Sequence, residues 1–443
     1  MKQRFGTTTA FAIVVGSMVG TGVFTSLGFQ LAEFESGFAL MFLWILGGIC
    51  AFCGAVSYCE LAAAIPRSGG EYTFLGEAFH PAVGFVAGWI SFTVGFSAPA
   101  ALVAMTFGAY LEASFSWINP TLAGIGLIVV VTALHGYSHR SSGGFQTSFT
   151  LVKIALILLF CGAAYILVNT PQQVSFFPRW TDLSLVVSGG FAVSLIYVNY
   201  AYAGWNATTY VTEEFNQPTR AINRALMAGT GTVLVLYLLL NGTFLTVAPA
   251  EVMKGQVEVG FIAAKFAFGD IGAHLMSLML AIILVSTLSA MILAGPRVLS
   301  RMGNDYPILD WLGRTNRHDV PAIAIATQST LAIIFILTGT FEDILVFAGL
   351  LLGVSAFSTV SASIWMRVKR GKPTRYRMPL YPLPPIVFLG VTGWAIAYTF
   401  VVRVVEGVFA AGMIAAGLSL YILVRLVSQR SSPDAKTPPD DSQ

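Results

Sequence analysis

The sequence TTAFAIVVGSMVGTGVFTSLG, residues 8–28, is apolar throughout but has glycine at positions 16, 20 and 22. A membrane-spanning helix needs about 20 predominantly apolar residues, so this run is long enough for one crossing. Each glycine weakens a helix by about 1 kcal/mol relative to alanine. The run therefore predicts a membrane helix that is interrupted near its middle. A simpler alternative is that Gly16 and Gly20 form a small-residue packing face on an unbroken helix.

A second run of this kind covers residues 185–211 and contains YVNYAYAGWNATTY, from Tyr197 to Tyr210. Asn199, Asn206 and several hydroxyl groups would lie at membrane depth in this run. Polar groups and irregular backbone are tolerated there only where they face protein or a water-filled cavity. The run therefore predicts a second discontinuous helix, and its presence favours an interruption over simple packing in the first run.

The composition of the whole chain agrees with a polytopic membrane protein. Of its 443 residues, 56% are hydrophobic and 10% are charged, and the mean hydropathy is +0.76. A soluble domain carries about 25% charged residues, so a soluble enzyme, a nucleic-acid-binding protein and a disordered chain are excluded. Continuous apolar runs favour helices over strands. Twelve runs are long enough to cross a membrane: 8–28, 38–64, 82–112, 120–138, 147–168, 185–211, 226–248, 271–300, 321–339, 343–366, 384–403 and 406–426.

The positions of the two unusual runs predict how the helices are arranged. They are the first and the sixth, so each opens a unit of five helices, residues 1–168 and 185–366. An odd number of crossings makes the second unit enter from the opposite side, which is the plan of an inverted repeat. Residues 384–426 add two helices, and the polar tail 428–443 is predicted to be disordered in the cytoplasm. Segment 251–269 is predicted to be a re-entrant or surface helix on the outside.

Lysine and arginine predict the orientation. With a cytoplasmic N-terminus, 19 of the 24 basic residues fall in inside segments and four in outside segments, while Lys153 lies within the membrane. Because inside loops of membrane proteins are enriched in Lys and Arg, both termini are predicted to be cytoplasmic in a cell membrane.

Two interrupted helices offer a site for a zwitterion. The N–H groups that begin one half of a broken helix attract an anion, and the carbonyl groups that end the other half attract a cation. An α-amino acid carries both charges. We expect the N–H groups of Gly20, Thr21 and Gly22 to bind its carboxylate. The ammonium is expected at carbonyl groups near Met18, Tyr200 and Ala203.

Four motifs, which together span nearly the whole chain, resemble those of the amino acid–polyamine–organocation transporters. Within this superfamily the chain is most similar to the L-type amino acid transporters and their bacterial relatives. The motifs are GSMVGTGVF at 16–24, YCELAAAIPRSGGEY at 58–72, YAYAGWN with VTEE at 200–206 and 211–214, and RYRMPLYPLPP at 375–385.

The resemblance implies a five-plus-five inverted repeat of the leucine-transporter type, alternating access and amino acid substrates. It assigns the carboxylate-binding backbone to Thr21 and Gly22, and an aromatic gate to Tyr200. The chain departs from the family by having Thr21 where serine is usual, Tyr200 where phenylalanine is common and Ala203 where glycine is common. The Ala203 methyl group is expected to favour a smaller substrate side chain. The Tyr200 hydroxyl group could hydrogen-bond to a polar one.

Lys153 is a charged residue inside the fifth run. A charge at this depth costs about 2.5–3.5 kcal/mol on insertion scales, so it usually has a role. The resemblance places it beside the first helix, where sodium-coupled relatives bind a cation. The ammonium group then either carries a proton or stays charged and joins helices, with Ser286 and Thr287 as hydroxyl partners. The alternative is that the side chain extends to the cytoplasmic surface.

These observations predict a secondary active transporter of small to medium neutral L-amino acids, working by exchange or by proton symport. A cationic amino acid or polyamine is the alternative substrate. It is disfavoured because no acidic side chain is predicted at the site. An amino acid-binding receptor or a channel is the alternative outside transport. No enzyme activity, cofactor, metal or nucleic-acid partner is expected, and since no cysteine lies in an outer loop, no disulfide-linked subunit is expected either.

Two sets of charged residues near the inner membrane edge are predicted to have gating or packing roles. Glu60 is interpreted as a gate or packing contact. The acidic and basic residues after the sixth run are interpreted as an inner salt-bridge gate or a solvated loop: Glu213, Glu214, Arg220 and Arg224.

Overall fold

A computed structural model describes residues 5–137, 143–216, 218–317, 320–371 and 376–430. Within these ranges the chain consists of helices and connecting loops, and its only strand-like pairing is an isolated bridge between Phe5 and Phe215. The prediction of an all-α protein is confirmed. The predicted tail lies outside the described residues, except for 428–430, which belong to the last helix.

The α-helices follow the twelve predicted runs closely. In chain order they are α1 Thr7–Met18, α2 Gly22–Glu33, α3 Gly37–Ala64, α4 Gly70–Ala78, α5 Pro81–Ile90, α6 Ser97–Ser114, α7 Pro120–Tyr137, α8 Gly143–Leu167, α9 Trp180–Val186, α10 Gly189–Tyr202, α11 Pro218–Val247, α12 Ala250–Met253, α13 Val259–Asp305, α14 Asp310–Gly313, α15 Ala322–Thr338, α16 Phe341–Arg370, α17 Leu383–Val402 and α18 Val404–Arg430. A π-helical turn, Ser91–Phe96, joins α5 to α6, and 3-10 helices cover Ala207–Glu214 and Pro307–Leu309.

Every predicted run contains a helix, but not every helix has the length of a full crossing. In the described part of the chain, nine segments are long and apolar enough to span a membrane. The segment from α9 through the 3-10 helix, bent by 67°, would be a tenth. α7 and α15 are apolar but shorter. Twelve crossings, the inverted repeat and the domain limits therefore stay predictions.

The segment predicted to lie on the outer surface is the beginning of a longer helix. α12 has four residues, and α13 begins at Val259. Gly269 interrupts α13 with φ +72° and ψ −170°, a conformation that glycine adopts easily. The chain changes direction there, two residues before the predicted start of the eighth run.

The first interrupted helix lies at the centre of the molecule. α1 packs against α11 and α8, and α10 packs against α2, α16 and α17. In the most apolar stretch of α1–α2, 83% of the residues are buried, compared with 28% in α17 and in α18. The last two helices therefore lie at the periphery, where exposed apolar side chains suit contact with lipid.

Candidate functional site

Both predicted interruptions are present. α1 ends at Met18, residues 19–21 are not helical, and α2 begins at Gly22. α10 ends at Tyr202, where Ala203 turns to an extended conformation with ψ 151° and Gly204 has φ +101°. After this turn the chain continues as the 3-10 helix. The first and sixth runs are therefore discontinuous, as the sequence predicted.

The two interruptions are in direct backbone contact. A Cβ atom at Gly22 would lie 2.5 Å from Cα of Ala201, and a Cβ atom at Gly204 would lie 2.9 Å from the carbonyl carbon of Ser17. Neither distance is possible for a real side chain, so glycine is required at both positions. Gly22 lets the end of α10 lie against the start of α2. Gly204 lets the turn after α10 lie against the end of α1.

Tyr237 of α11 joins the same two backbones. Its hydroxyl oxygen lies 2.6 Å from the Met18 carbonyl oxygen and 2.9 Å from that of Ala201. The side chain is fully buried. Sequence analysis missed this residue, although a tyrosine within the apolar stretch VLVLYLLL indicates that a buried hydroxyl group needs a partner. The single hydroxyl proton is shared between the Ala201 carbonyl and the Met18 carbonyl, which is predicted to bind the substrate ammonium.

The six residues predicted to bind substrate line one cavity of about 1060 Å³. The first turn of α2 has no preceding helical carbonyl groups to bind its N–H groups, so these donors can bind an anion. The volume slightly exceeds the range of about 300–1,000 Å³ for sites that hold drug-sized ligands. The cavity is therefore large enough to include an access path in addition to a ligand-binding site. The six residues are Met18, Gly20, Thr21, Gly22, Tyr200 and Ala203.

The cavity extends from the interruptions toward the end of the molecule where the described chain begins. Phe5, Glu214, Arg297 and the exposed Thr315 line this part. Glu214 and Arg297 form an ion pair of 2.7 Å, and each side chain is more than a third exposed. We call this the N-terminal end of the cavity.

The opposite end of the molecule is closed above the interruptions. The rings of Phe29 and Phe341 stack at 5.7 Å, and Phe29 also packs on Tyr197 at 6.1 Å. Beyond this aromatic layer, the Tyr197 hydroxyl donates to Glu342 at 2.8 Å, and Glu342 is paired with Arg403. Among the described residues, this end is therefore covered by aromatic rings and an ion pair, and the exposed lining residues lie at the N-terminal end of the cavity.

Lys153 of α8 is buried against the first interruption. Among the described residues its ammonium group donates to three oxygens: the Gly16 carbonyl at 3.2 Å, the Val19 carbonyl at 3.1 Å and Thr287 Oγ1 at 2.8 Å. Thr287 is thus a partner as predicted, while Ser286 receives no bond from this group. The side chain does not extend to the membrane surface. Lys153 supports the interruption from behind, because it does not line the cavity.

The charged residues at the inner edge pair differently from the prediction. Glu214 pairs with Arg297 of α13 rather than with Arg220 or Arg224, because the 3-10 helix turns its acidic end toward α13.

Glu60 forms a two-pronged ion pair with Arg367, at 3.0 and 2.7 Å. It also accepts the backbone N–H of Met378 at 3.1 Å. The packing interpretation of Glu60 is therefore supported, since this contact ties α3 to α16 away from the large cavity.

A buried carboxylate lines the cavity, which corrects the expectation that no acidic side chain is near the site. Glu71 is 2% exposed and accepts hydrogen bonds from Tyr58 at 2.6 Å, Asn206 at 3.1 Å and Ser355 at 2.5 Å. Glu71 belongs to the SGGEY part of the motif at 58–72. In that motif, the sequence analysis predicted a role for Glu60 and none for Glu71. The two preceding glycines, both with positive φ, allow the turn that carries Glu71 inward.

Metal binding has no support in the described part of the chain. No group of three or more His, Cys, Asp or Glu residues there could hold an ion. The four cysteines are unpaired.

The family model for amino acid permeases matches residues 5–426, which is nearly the whole chain. The chain belongs to the amino acid permease family. It is a multi-pass membrane protein, and its function is the transport of amino acids. Members of this family are transporters, not enzymes.

Characterised relatives resemble the permease over most of their length. A serine/threonine exchanger of Bacillus subtilis is 26% identical over 95% of this chain and 96% of its own. The b(0,+)-type amino acid transporter 1 of Mus musculus is 27% identical over 88% of this chain and 81% of its own. The large neutral amino acids transporter small subunit 2 of Homo sapiens is 26% identical over 96% of this chain and 80% of its own.

Proposed function

We propose that this permease is a secondary active transporter of small to medium neutral L-amino acids in the cell membrane. It works by alternating access, either exchanging one amino acid for another or carrying one together with a proton. The observation that carries the proposal is that two interrupted helices meet in one cavity, where main-chain groups of both polarities are available. Relatives named as a serine/threonine exchanger and a large neutral amino acid transporter support this substrate class.

In the proposed complex, the substrate carboxylate binds the N–H groups of Gly20, Thr21 and Gly22. Its ammonium group binds carbonyl groups at the ends of α1 and α10, near Met18, Tyr200 and Ala203. Each such charge-assisted bond contributes about 1.5–3 kcal/mol. No formal charge on the protein is needed, because the helix ends supply the partial charges.

The side-chain preference is proposed to come from two positions on α10. The Ala203 methyl group reduces the space beside the turn and favours small side chains. Tyr200 is 7% exposed, lines the cavity and has a hydroxyl group that could bind a polar side chain. Tyr200 is also the proposed aromatic gate.

The excess of basic residues in the predicted inside segments supports an orientation with both termini in the cytoplasm. The N-terminal end of the cavity would then open to the cytoplasm, and the structure would be the inward-facing state. Lys153, with Thr287, is proposed to couple the first interruption to α8 and α13. Ser286 has no contact that supports a part in this coupling.

The experiment is uptake into proteoliposomes with a panel of labelled amino acids that includes serine, threonine, alanine, leucine and lysine. Uptake that requires internal amino acid identifies exchange, and uptake driven by an imposed pH gradient identifies proton symport. If none of the neutral amino acids is transported, the proposal is wrong.

A cationic amino acid or polyamine is the second candidate, because Glu71 places a carboxylate in the cavity. Its three hydrogen-bond donors already occupy both carboxylate oxygens, which favours neutral substrates. Uptake of lysine or putrescine in preference to serine would make a cationic substrate the better proposal.

A further inference from the structure

The inner half of the second interrupted helix is docked on a short segment in which the loop after α3 runs into the start of α4. The backbone N–H of Glu213 donates to Ser68 Oγ at 3.0 Å. At the middle of the contact, the Tyr210 ring lies so close to Gly70 that a Cβ atom there would be 2.7 Å from it. At the far end, the Asn206 amide donates to Glu71 at 3.1 Å. We call residues 68–71 the docking loop.

Glu71 also anchors the docking loop to two other helices. Its Oε1 accepts from the Tyr58 hydroxyl on α3, and its Oε2 accepts from the Ser355 hydroxyl on α16. A single carboxylate thus joins the docking loop, the turn after α10, α3 and α16. Ser68, Glu71, Asn206 and Tyr210 all line the cavity.

The hydrogen bonds around Glu71 are suited to a charged carboxylate. All three partners act as donors, and an ionised carboxylate only accepts. Glu71 is the second residue of α4, where the helix N-terminus favours a negative charge. Burial raises the pKa of Glu71, and the three hydrogen bonds oppose that rise. A buried charge that loses its donors is strongly destabilising, so removing the donors or the charge should loosen the docking.

We propose that Glu71 is a positioning residue for transport: its carboxylate keeps the 3-10 helix docked on residues 68–71, so that the two move as one unit when the cavity opens and closes. This inference rests on the proposed alternating-access function. The partners of Glu71 are not among the groups assigned to the substrate. Its loss should therefore lower the rate of transport while leaving substrate affinity nearly unchanged.

The first test measures exchange of labelled L-serine in proteoliposomes containing Glu71→Gln, with L-leucine as a second probe. Gln keeps the shape but removes the charge, and the loss of charge-assisted bonding should lower the maximal rate about tenfold. The KM should change less than about threefold, because Glu71 is not proposed to contact the bound substrate. Glu71→Asp, which keeps the charge, should recover part of the rate.

The matched control is Glu77→Gln on the same helix. Glu77 is about one-third exposed and pairs with Arg67, which is half exposed. Its rate should equal that of the unaltered protein. Equal rates for Glu71→Gln and the unaltered protein would overturn the inference, and so would a large rise in KM at an unchanged maximal rate.

A second test does not depend on a substrate. Amide hydrogen exchange of purified protein should be faster in peptides covering 207–214 in Tyr58→Phe and Ser355→Ala, each of which removes one donor to Glu71. Peptides from α7 should be unaffected. If exchange in 207–214 is unchanged in both variants, Glu71 does not hold this helix. If the unaltered protein transports no amino acid while 207–214 responds as expected, the proposed function fails and the docking stands.

Discussion

The two interrupted helices differ in how the surrounding protein holds them. The first interruption has no residue with positive φ, and its carbonyl groups are held by the Lys153 ammonium group and the Tyr237 hydroxyl group. The second contains a left-handed glycine, Gly204, and continues as a 3-10 helix held through Asn206 by the Glu71 carboxylate. A cation thus supports the carbonyl end of α1, and an anion supports the half-helix after α10.

This difference shows how the site can keep free main-chain groups without collapsing. The supporting groups approach from outside the substrate position, since Lys153 and Tyr237 do not line the cavity. Unpaired buried backbone groups would each cost free energy. The protein satisfies some of them, while Gly20, Thr21 and Gly22 at the start of α2 line the cavity.

The largest expected effect is that of Gly22→Ala. The new Cβ atom would lie 2.5 Å from Cα of Ala201, so the two interruptions must separate. Overpacking of this kind costs about 1–3 kcal/mol, and we expect loss of transport and a lower melting temperature in detergent. Gly126→Ala in α7 is the control, because its Cβ atom would meet nothing within 4 Å. Equal behaviour of the two variants would show that the interruptions are not closely packed.

Gly204→Ala tests the second interruption in the same way. Alanine at φ +101° is strained by about 1–2 kcal/mol, and its Cβ atom would also collide with Ser17. Gly269→Ala has comparable strain at φ +72° but meets no atom within 4 Å. We expect transport to fall much further in Gly204→Ala, as measured by uptake at equal protein amounts. A similar loss in both variants would assign the effect to backbone strain alone.

Lys153→Ala removes three hydrogen bonds from the first interruption and leaves two carbonyl groups unpaired. Because each unsatisfied buried group costs about 1–3 kcal/mol, we expect transport to fall at least about tenfold. Expression should fall less than transport, because the lost hydrogen bonds hold only the first interruption and not the rest of the fold. Lys265→Ala, at an exposed ion pair with Asp270, is the control. Equal loss of expression and transport would make Lys153 merely structural.

Tyr237→Phe should have a smaller effect, because it removes one hydroxyl group and keeps the ring. One neutral hydrogen bond contributes about 1 kcal/mol, so we expect a decrease of roughly fivefold in transport. Tyr202→Phe is the matched control. The buried Tyr202 hydroxyl donates to the Trp44 carbonyl of α3 at 3.2 Å and not to the backbone of either interruption. Similar melting temperatures with different transport rates would place the effect at the site. If the rates are the same, the Tyr237 bridge is not required for transport.

The smallest expected effect is a change of selectivity in Ala203→Gly. Removing the methyl group beside the turn should improve transport of larger neutral amino acids relative to serine. The change in the ratio of their transport efficiencies should correspond to about 1 kcal/mol. The measurement is competition of unlabelled amino acids with labelled serine. An unchanged profile would remove Ala203 from the proposed selectivity.

Sequence analysis located both interruptions because glycine and polar residues within apolar runs are local signals. The six residues that it predicted to bind substrate line one cavity, and it found Lys153 because charge is rare in such runs. It missed Tyr237, whose importance comes from contact with two distant helices. It placed Glu60 ahead of Glu71, because nothing local shows which carboxylate the turn at Gly69 and Gly70 carries into the cavity. It looked for a salt-bridge gate or a solvated loop among the charged residues after the sixth run, whereas Glu214 pairs with the distant Arg297, since ion pairs depend on the direction of the helix ends.

The amino-acid sequence by itself determined that this protein lies in a membrane, that it is helical and that two of its helices are broken. The physical reason is that hydropathy and glycine content act over neighbouring residues. Only the tertiary structure decided that Gly22 and Gly204 interlock the two breaks, that one end of the cavity is closed by an aromatic layer, and which cation and which anion support the broken ends. Those outcomes depend on distances between residues far apart in the chain, which no local pattern encodes.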